Sequence, residues 1–283
     1  MIKLNFPAIH CTDMFANCLS SAGAGSYKLR LSGIADTIKS EWGKFDVRSH
    51  SKNFHLFKPC EPRDKQQKIV GNVTKDDLMK LYSVHMLNEK KDSRKVYDIL
   101  RACSNGICPL CGIHGASTLD HYLPKARYPM LSVYPKNLIP ACKDCNGGKA
   151  ATIFESASDQ TLYPYNDDLK FYKTEWVSAR ITASFGILTF VFFPSPPEKW
   201  LKVEKNRVIS HFNGFNLESK YQLNAAQFVS TITADIRRLL TSGNGATVKK
   251  HYLELASQVP KNSTLRVMYN AIANDDTICN GNF

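Results

Sequence analysis

The sequence predicts an α+β chain, and three observations predict it. Apolar residues recur at helical spacing toward both ends of the chain, one alternating β-hairpin interrupts them, and a cysteine-rich stretch lies at the centre. The chain has 283 residues, enough to bury one large core or two modest ones without disulfides. Hydrophobic residues make up 43% and charged residues 22%, the balance of a soluble folded protein, which excludes an intrinsically disordered one. Three zones follow: a helical N-terminal region over 1–104, a compact central module over 105–155, and a hairpin followed by an α-rich C-terminal region over 156–283.

In the first zone the periodicity predicts an amphipathic helix over 28–42, followed by a polar, proline-containing stretch over 58–68. Thr74 and Asp77 have the spacing of a capping box, with Leu78, Leu81, Tyr82 and Met86 at helical intervals behind them. Ser93 opens a second helix carrying Val96, Tyr97, Leu100 and Cys103, which leads straight into Cys108. In the third zone, residues 176–185 and 187–193 are rich in Val, Ile, Thr and Phe and meet at Gly186, a hairpin signal that the proline-rich 194–197 ends. Helices are expected over 199–211, 217–240, 246–259 and 263–273. Phe212, Phe215, Tyr221 and Phe228 read as core, whereas Arg237 and Arg238, with Lys249 and Lys250, suit either a nucleic-acid contact or a solvated face.

The formal charge is +12, from 37 Lys and Arg against 25 Asp and Glu, so the chain should attract polyanions, nucleic acid first among them. Residues 1–20 lack the apolar core of a signal peptide. The apolar run at 187–193 is far shorter than the ~20 residues a membrane helix needs. A cytoplasmic protein with no membrane partner is therefore expected. Nine cysteines in a reducing compartment need an explanation other than disulfides.

Cys108-Pro-Leu-Cys111 and Cys142-Lys-Asp-Cys145 are two C-x₂-C knuckles about thirty residues apart, a pattern that brings four thiolates into one tetrahedral site. Thiolates select Zn²⁺, and a four-sulfur shell leaves no position open for water or substrate, so this zinc would be structural. The competing reading is four unrelated buried cysteines. His114 is most simply a loop residue, with competition for the zinc as the alternative. Cys11, Cys18, Cys60, Cys103 and Cys279 show no metal spacing among themselves and read as buried thiols.

Between the knuckles runs Leu-Asp120-His121-Tyr-Leu-Pro-Lys125, then Asn137-Leu-Ile-Pro, and the second knuckle continues as Asn146-Gly-Gly-Lys149. This string resembles the HNH nuclease family over about forty residues, knuckles included. The resemblance implies a ββα-metal fold for the central module, set in mostly helical flanks plus the hairpin. It also implies a catalytic role for each matching position. Asp120 corresponds to the first metal ligand, His121 to the general base that activates water, Asn137 to the residue that braces the loop and orients the base, and Asn146 to the second metal ligand. Two oxygen ligands favour Mg²⁺ or Mn²⁺ as the catalytic ion. Imidazole ordinarily titrates near neutral pH, which suits a base acting on water.

Lys149, one helical turn beyond Asn146, and Lys125 and Arg127 are the expected phosphate contacts, with Lys136 and Lys143 adding charge. Residues 101–150 hold six Lys or Arg against two Asp, a basic setting suited to a phosphate backbone. The implied function is a metal-dependent endonuclease hydrolysing DNA phosphodiesters. The phrasing around Asp120 and Asn137 is similar to HNH proteins of bacterial antiphage defence, including the nuclease subunit of Septu systems and retron-associated proteins, where an ATPase is the partner. The alternative is a non-catalytic zinc-knuckle module that binds nucleic acid. Such a module would have no use for Asp120, His121, Asn137 and Asn146 together.

Overall fold

The computed structural model describes residues 1–148 and 152–283, and the chain divides into two compact units. One comprises Ile2–Leu110 and His114–Asp167, the other Asp168–Phe283 together with Met1 and Cys111–Ile113. The helical front and nearly all of the cysteine-rich centre thus belong to a single unit.

In that unit α1 (Met14–Ser20), α2 (Ser26–Ser32) and α3 (Ala35–Ser51) come first, followed by a two-stranded ribbon of β1 (Lys68–Val70) and β2 (Val73–Thr74). The helix expected over 28–42 is broken at Gly33 and Ile34, where the Ile34 N–H turns back to the Leu31 carbonyl in a tight bond before α3 begins. Next comes α4 (Lys75–Lys80), capped as the sequence predicts: the Thr74 hydroxyl accepts from the Asp77 N–H, and the Asp77 carboxylate accepts from the Thr74 N–H. Its continuation, Leu81–Met86, widens into a π-helical turn, and α5 (Ser93–Ala102) follows.

Beyond α5 lie β3 (Thr118–His121), β4 (Leu138–Ala141) and α6 (Lys143–Gly148), two antiparallel strands and a helix in that order. An aromatic cluster backs them. Phe45 and Phe54 stand 5.0 Å apart between ring centroids, Phe54 and Tyr122 4.8 Å, and Tyr122 and Tyr163 4.8 Å. Tyr122 directly follows His121, so this cluster anchors the end of β3.

The second unit holds the short α7 (Lys170–Lys173), then β5 (Val177–Ser184) and β6 (Ile187–Pro194) in unbroken antiparallel register from Val177 opposite Pro194 to Ser184 opposite Ile187. The turn is Phe185-Gly186, both at positive φ (51° and 75°), the two-residue type that matches strand twist. Leu188, Phe190 and Phe192 point inward, and Phe192 meets Tyr221 at 5.2 Å. Asn262 fixes the root of the hairpin, its Oδ1 accepting from the N–H groups of Trp176 and Val177 and its Nδ2 donating to the Thr174 carbonyl.

The remaining helices are α8 (Lys202–Gly214), α9 (Leu217–Ala226), α10 (Val229–Ser242), α11 (Gly245–Gln258), α12 (Thr264–Ala273) and α13 (Asp276–Cys279). The single helix expected over 217–240 is two, because tight bonds from Gln227 to Asn224 and from Phe228 to Ala225 end α9. The helix expected over 199–211 begins three residues late, after a turn in which the Trp200 N–H bonds the Pro197 carbonyl. Among the described residues, no helix is long and apolar enough to cross a membrane.

Candidate active site and metal centre

Cys108, Cys111, Cys142 and Cys145 are all buried, and their four sulfurs lie within 4.8 Å of one another. A zinc ion with Zn–S bonds of about 2.3 Å sets tetrahedral sulfurs roughly 3.8 Å apart, so the cluster has the size and the donor chemistry for zinc. Each knuckle is shaped for it. After Cys111 the chain doubles back through Gly112 at φ +71°, where a Cβ would fall 2.6 Å from the Met1 nitrogen. The return is closed by the Cys108 N–H donating to the His114 carbonyl at 2.9 Å. In the second knuckle the Cys145 N–H donates to the Cys142 sulfur at 3.4 Å, at the start of α6. His114 lies beside the cage, its Nδ1 3.1 Å from the Asp144 carboxylate, while the cysteines supply all four corners.

The knuckles hold β3 and β4 at their far ends, and the register pairs Thr118 with Ala141, Asp120 with Ile139 and His121 with Leu138. Asp120 and His121 are both buried, each 7% exposed. His121 is the last residue of its strand. Its Nε2 lies 2.8 Å from the Ser132 carbonyl oxygen. A carbonyl only accepts, so Nε2 carries the proton of the neutral ring and Nδ1 carries the basic lone pair.

The carbonyl that orients His121 is itself held in place. The Ser132 hydroxyl donates to the Leu78 carbonyl at 2.7 Å, and the Trp42 indole donates to the Met130 carbonyl at 3.0 Å. Asn137, fully buried, donates through Nδ2 to the carbonyls of Leu123 and Leu131 and accepts from the Leu123 N–H through Oδ1. One side chain thereby ties together the start and the far part of the loop that follows His121.

Asn146 comes from α6. Its Nδ2 donates to the Thr118 hydroxyl at 3.1 Å and to the Leu119 carbonyl at 3.4 Å. Thr118 is spoken for as a donor, since its hydroxyl bonds the Ala141 carbonyl, so the amide orientation is fixed and Oδ1 is left on the other side. Thr118 and Asp120 alternate onto one face of β3, which places Asn146 on the same face as the Asp120 carboxylate. Two hard oxygens on one face fit a hard divalent cation in donor chemistry.

Tyr82, on the π-helical turn, meets three of these groups. Its hydroxyl donates to the Leu119 carbonyl, its ring lies edge-on to His121 at 4.5 Å, and the Lys125 ammonium sits 4.7 Å over its centroid. Burial pulls the Lys125 pKa below the ordinary lysine value, and the Asp120 carboxylate opposes that shift, so the two charges share one neighbourhood. Arg127 is turned elsewhere, donating to the Cys60 carbonyl at 3.0 Å. Lys136 pairs with Asp46 at 2.8 Å, and Lys149 lies outside the described residues. The sequence offered Tyr82 only as a helix-face residue, and the Ser132 carbonyl, being backbone, left no signal in it.

A protein of Escherichia phage lambda, Protein ea31, is 29% identical over 300 residues, covering 99% of this chain and all of the relative. No protein-family model matches the chain. No solved structure matches it.

Proposed function

We propose that the chain is a metal-dependent endonuclease of the HNH type that hydrolyses DNA phosphodiesters, with β3, β4 and α6 as its ββα nuclease module. The observation that carries this reading is the arrangement at the end of β3. His121 is held through Nε2 by a braced backbone carbonyl, and the neighbouring Asp120 shares a strand face with Asn146.

In this reading His121 Nδ1 takes a proton from a water aligned with the phosphorus atom. The ring needs no reorientation to do so, because Ser132, Asn137 and Tyr82 already fix it. Asp120 and Asn146 Oδ1 would hold Mg²⁺ or Mn²⁺, which supplies charge neutralisation on the scissile phosphate and the departing oxygen. Lys125 brings a cation to the same place, and Lys149, following α6, is a further phosphate contact. The four cysteines would hold zinc, which would staple the strands and take no part in the chemistry. A cytoplasmic antiphage effector working beside an ATPase is the narrower form of the proposal, supported by the phrasing around Asp120 and Asn137. Co-purification with an ATPase would support that form, and an isolated chain cutting at full rate would count against it.

The test is incubation of purified protein with supercoiled plasmid and with linear single-stranded DNA, in Mg²⁺, in Mn²⁺ and in EDTA, alongside Asp120→Ala. Cutting that needs the added ion and is lost in the variant is the expected result. Metal-independent cutting, or an unimpaired variant, would defeat it. A chain that binds DNA and never cuts would point to the non-catalytic zinc-knuckle module.

A further inference from the structure

The β5–β6 ribbon carries a face and a tip that folding does not use. Its inner face, with Leu188, Phe190 and Phe192, is buried, while cross-strand pairs Ser178 with Phe193, Arg180 with Val191, Thr182 with Thr189 and Ser184 with Ile187 make up the outer one. On that outer face Arg180, Thr182, Ser184, Ile187 and Thr189 are exposed, and the Arg180 guanidinium lies 5.2 Å over the Phe193 ring. Residues 176–197 contain no Asp or Glu at all.

The tip is odder still. Phe185 is 100% exposed and sits at φ 51°, a left-handed conformation that costs a bulky aromatic and suits Asn or Gly. Neither burial nor backbone preference explains a phenylalanine there, and contact with another molecule would. Beneath it Arg237 reaches the turn, its guanidinium 3.2 Å from where a Cβ on Gly186 would stand. An exposed aromatic above one arginine, with a second arginine and several hydroxyls along the outer face of an acid-free two-stranded ribbon, is complementary to a polyanion with stacked rings. B-form DNA has a major groove about 12 Å wide, which admits such a ribbon.

We infer that the β5–β6 ribbon docks into a groove of duplex DNA, with Arg180 and Arg237 on the phosphates and Phe185 set against the base stack. The inference rests on the nuclease reading for the choice of DNA as the polyanion, and it makes duplex DNA the substrate class.

The experiment uses the full chain carrying His121→Ala, so that binding is read without cutting. A fluorescent duplex of about 30 base pairs is titrated by anisotropy against this parent, against added Phe185→Asn and against added Arg180→Gln with Arg237→Gln. Phe185→Asn should weaken duplex binding about tenfold, in the range aromatic–base contacts supply, while its melting temperature equals or exceeds the parent's. The double arginine variant should lower the slope of log affinity against log salt by roughly two. Unchanged duplex affinity in both variants overturns the inference, even if the unsubstituted chain cuts plasmid. Retained duplex affinity with lost capture of a protein or a vesicle overturns it as well. Lost duplex affinity in a chain whose unsubstituted form cuts nothing keeps the ribbon and removes the nuclease.

Discussion

The β3–β4 pair runs four residues a side with all but Thr118 buried, whereas β5–β6 runs eight a side and leaves one face and its tip in water. Two four-residue strands cannot hold their own register. Here the cysteine cage ties one end and Asn137 clamps the loop at the other, so the candidate catalytic residues are fixed by groups that are themselves structural. The longer pair sets its register through a two-residue turn and a buried apolar face, and its tip is free to carry something folding does not need. Substitutions at the cage and at Asn137 should therefore couple chemistry to folding around the first pair, whereas substitutions at the tip of the second should leave folding intact.

The largest expected effect follows from the cage. Structural zinc in small modules contributes on the order of 10 kcal/mol. Cys142→Ser should lose bound zinc, measured by elemental analysis, and should lose hydrogen-exchange protection over Thr118–His121 and Leu138–Ala141 while that of β5 and β6 persists. Protection that survives zinc loss would make the two pairs equally self-sufficient.

Asn137→Ala comes next. It strips partners from the Leu123 N–H and from the carbonyls of Leu123 and Leu131, all inside the protein. At about 1–3 kcal/mol for a buried group left unpaired, a loss of roughly 3 kcal/mol in urea unfolding is expected, together with lost activity. Stability within about 0.5 kcal/mol of the parent's would remove the clamp from the account.

Asp77 gives a smaller effect with a definite pH dependence. Burial alone raises its carboxyl pKa, but the Thr74 N–H and the Arg30 guanidinium outweigh that and leave it below the ordinary aspartate value. A carboxylate depressed in the folded state contributes stability that is complete above its unfolded pKa, about 3.9, and is lost as pH falls through the lower folded value. The Arg30 side chain is 36% exposed, which discounts the ion pair. Asp77→Asn should therefore cost about 1 kcal/mol at neutral pH, most of it from the cap, and flatten the decline of stability below about pH 4. An unchanged acid limb in thermal melts would assign that decline to other groups.

The smallest effect is a gain. Phe185→Asn relieves a left-handed aromatic and should raise stability by up to about 1 kcal/mol. Destabilisation would mean that Phe185 packs on something in the folded chain.

What was legible in the sequence follows from the same contrast. The clustering of the four cysteines, the Thr74 cap and the hairpin break at Gly186 were legible as short spacing patterns, and the structure has all three, with Phe185 joining Gly186 in the turn instead of ending the strand. Asp120, His121, Asn137 and Asn146 were found through a motif, and the structure sets them along one strand pair and its helix. The breaks at Gly33 and at Gln227 were not legible. The first shows only one glycine inside a good helical pattern, and the second shows neither glycine nor proline. The π-helical turn that brings Tyr82 to His121 packs against α1 and α5, elements that a reading of its own few residues does not include, and the Ser132 carbonyl is a backbone group that any residue would supply.

The central claim is that the end of β3 is a catalytic centre, and His121→Ala tests it most directly. The protein should be compared with the parent at matched zinc content and matched melting temperature, on supercoiled plasmid with Mg²⁺ or Mn²⁺. Loss of cutting by about a hundredfold or more, as expected for removal of a general base, with zinc and fold retained, is the predicted result. Cutting at the parent's rate by a zinc-loaded, folded His121→Ala protein would contradict the account.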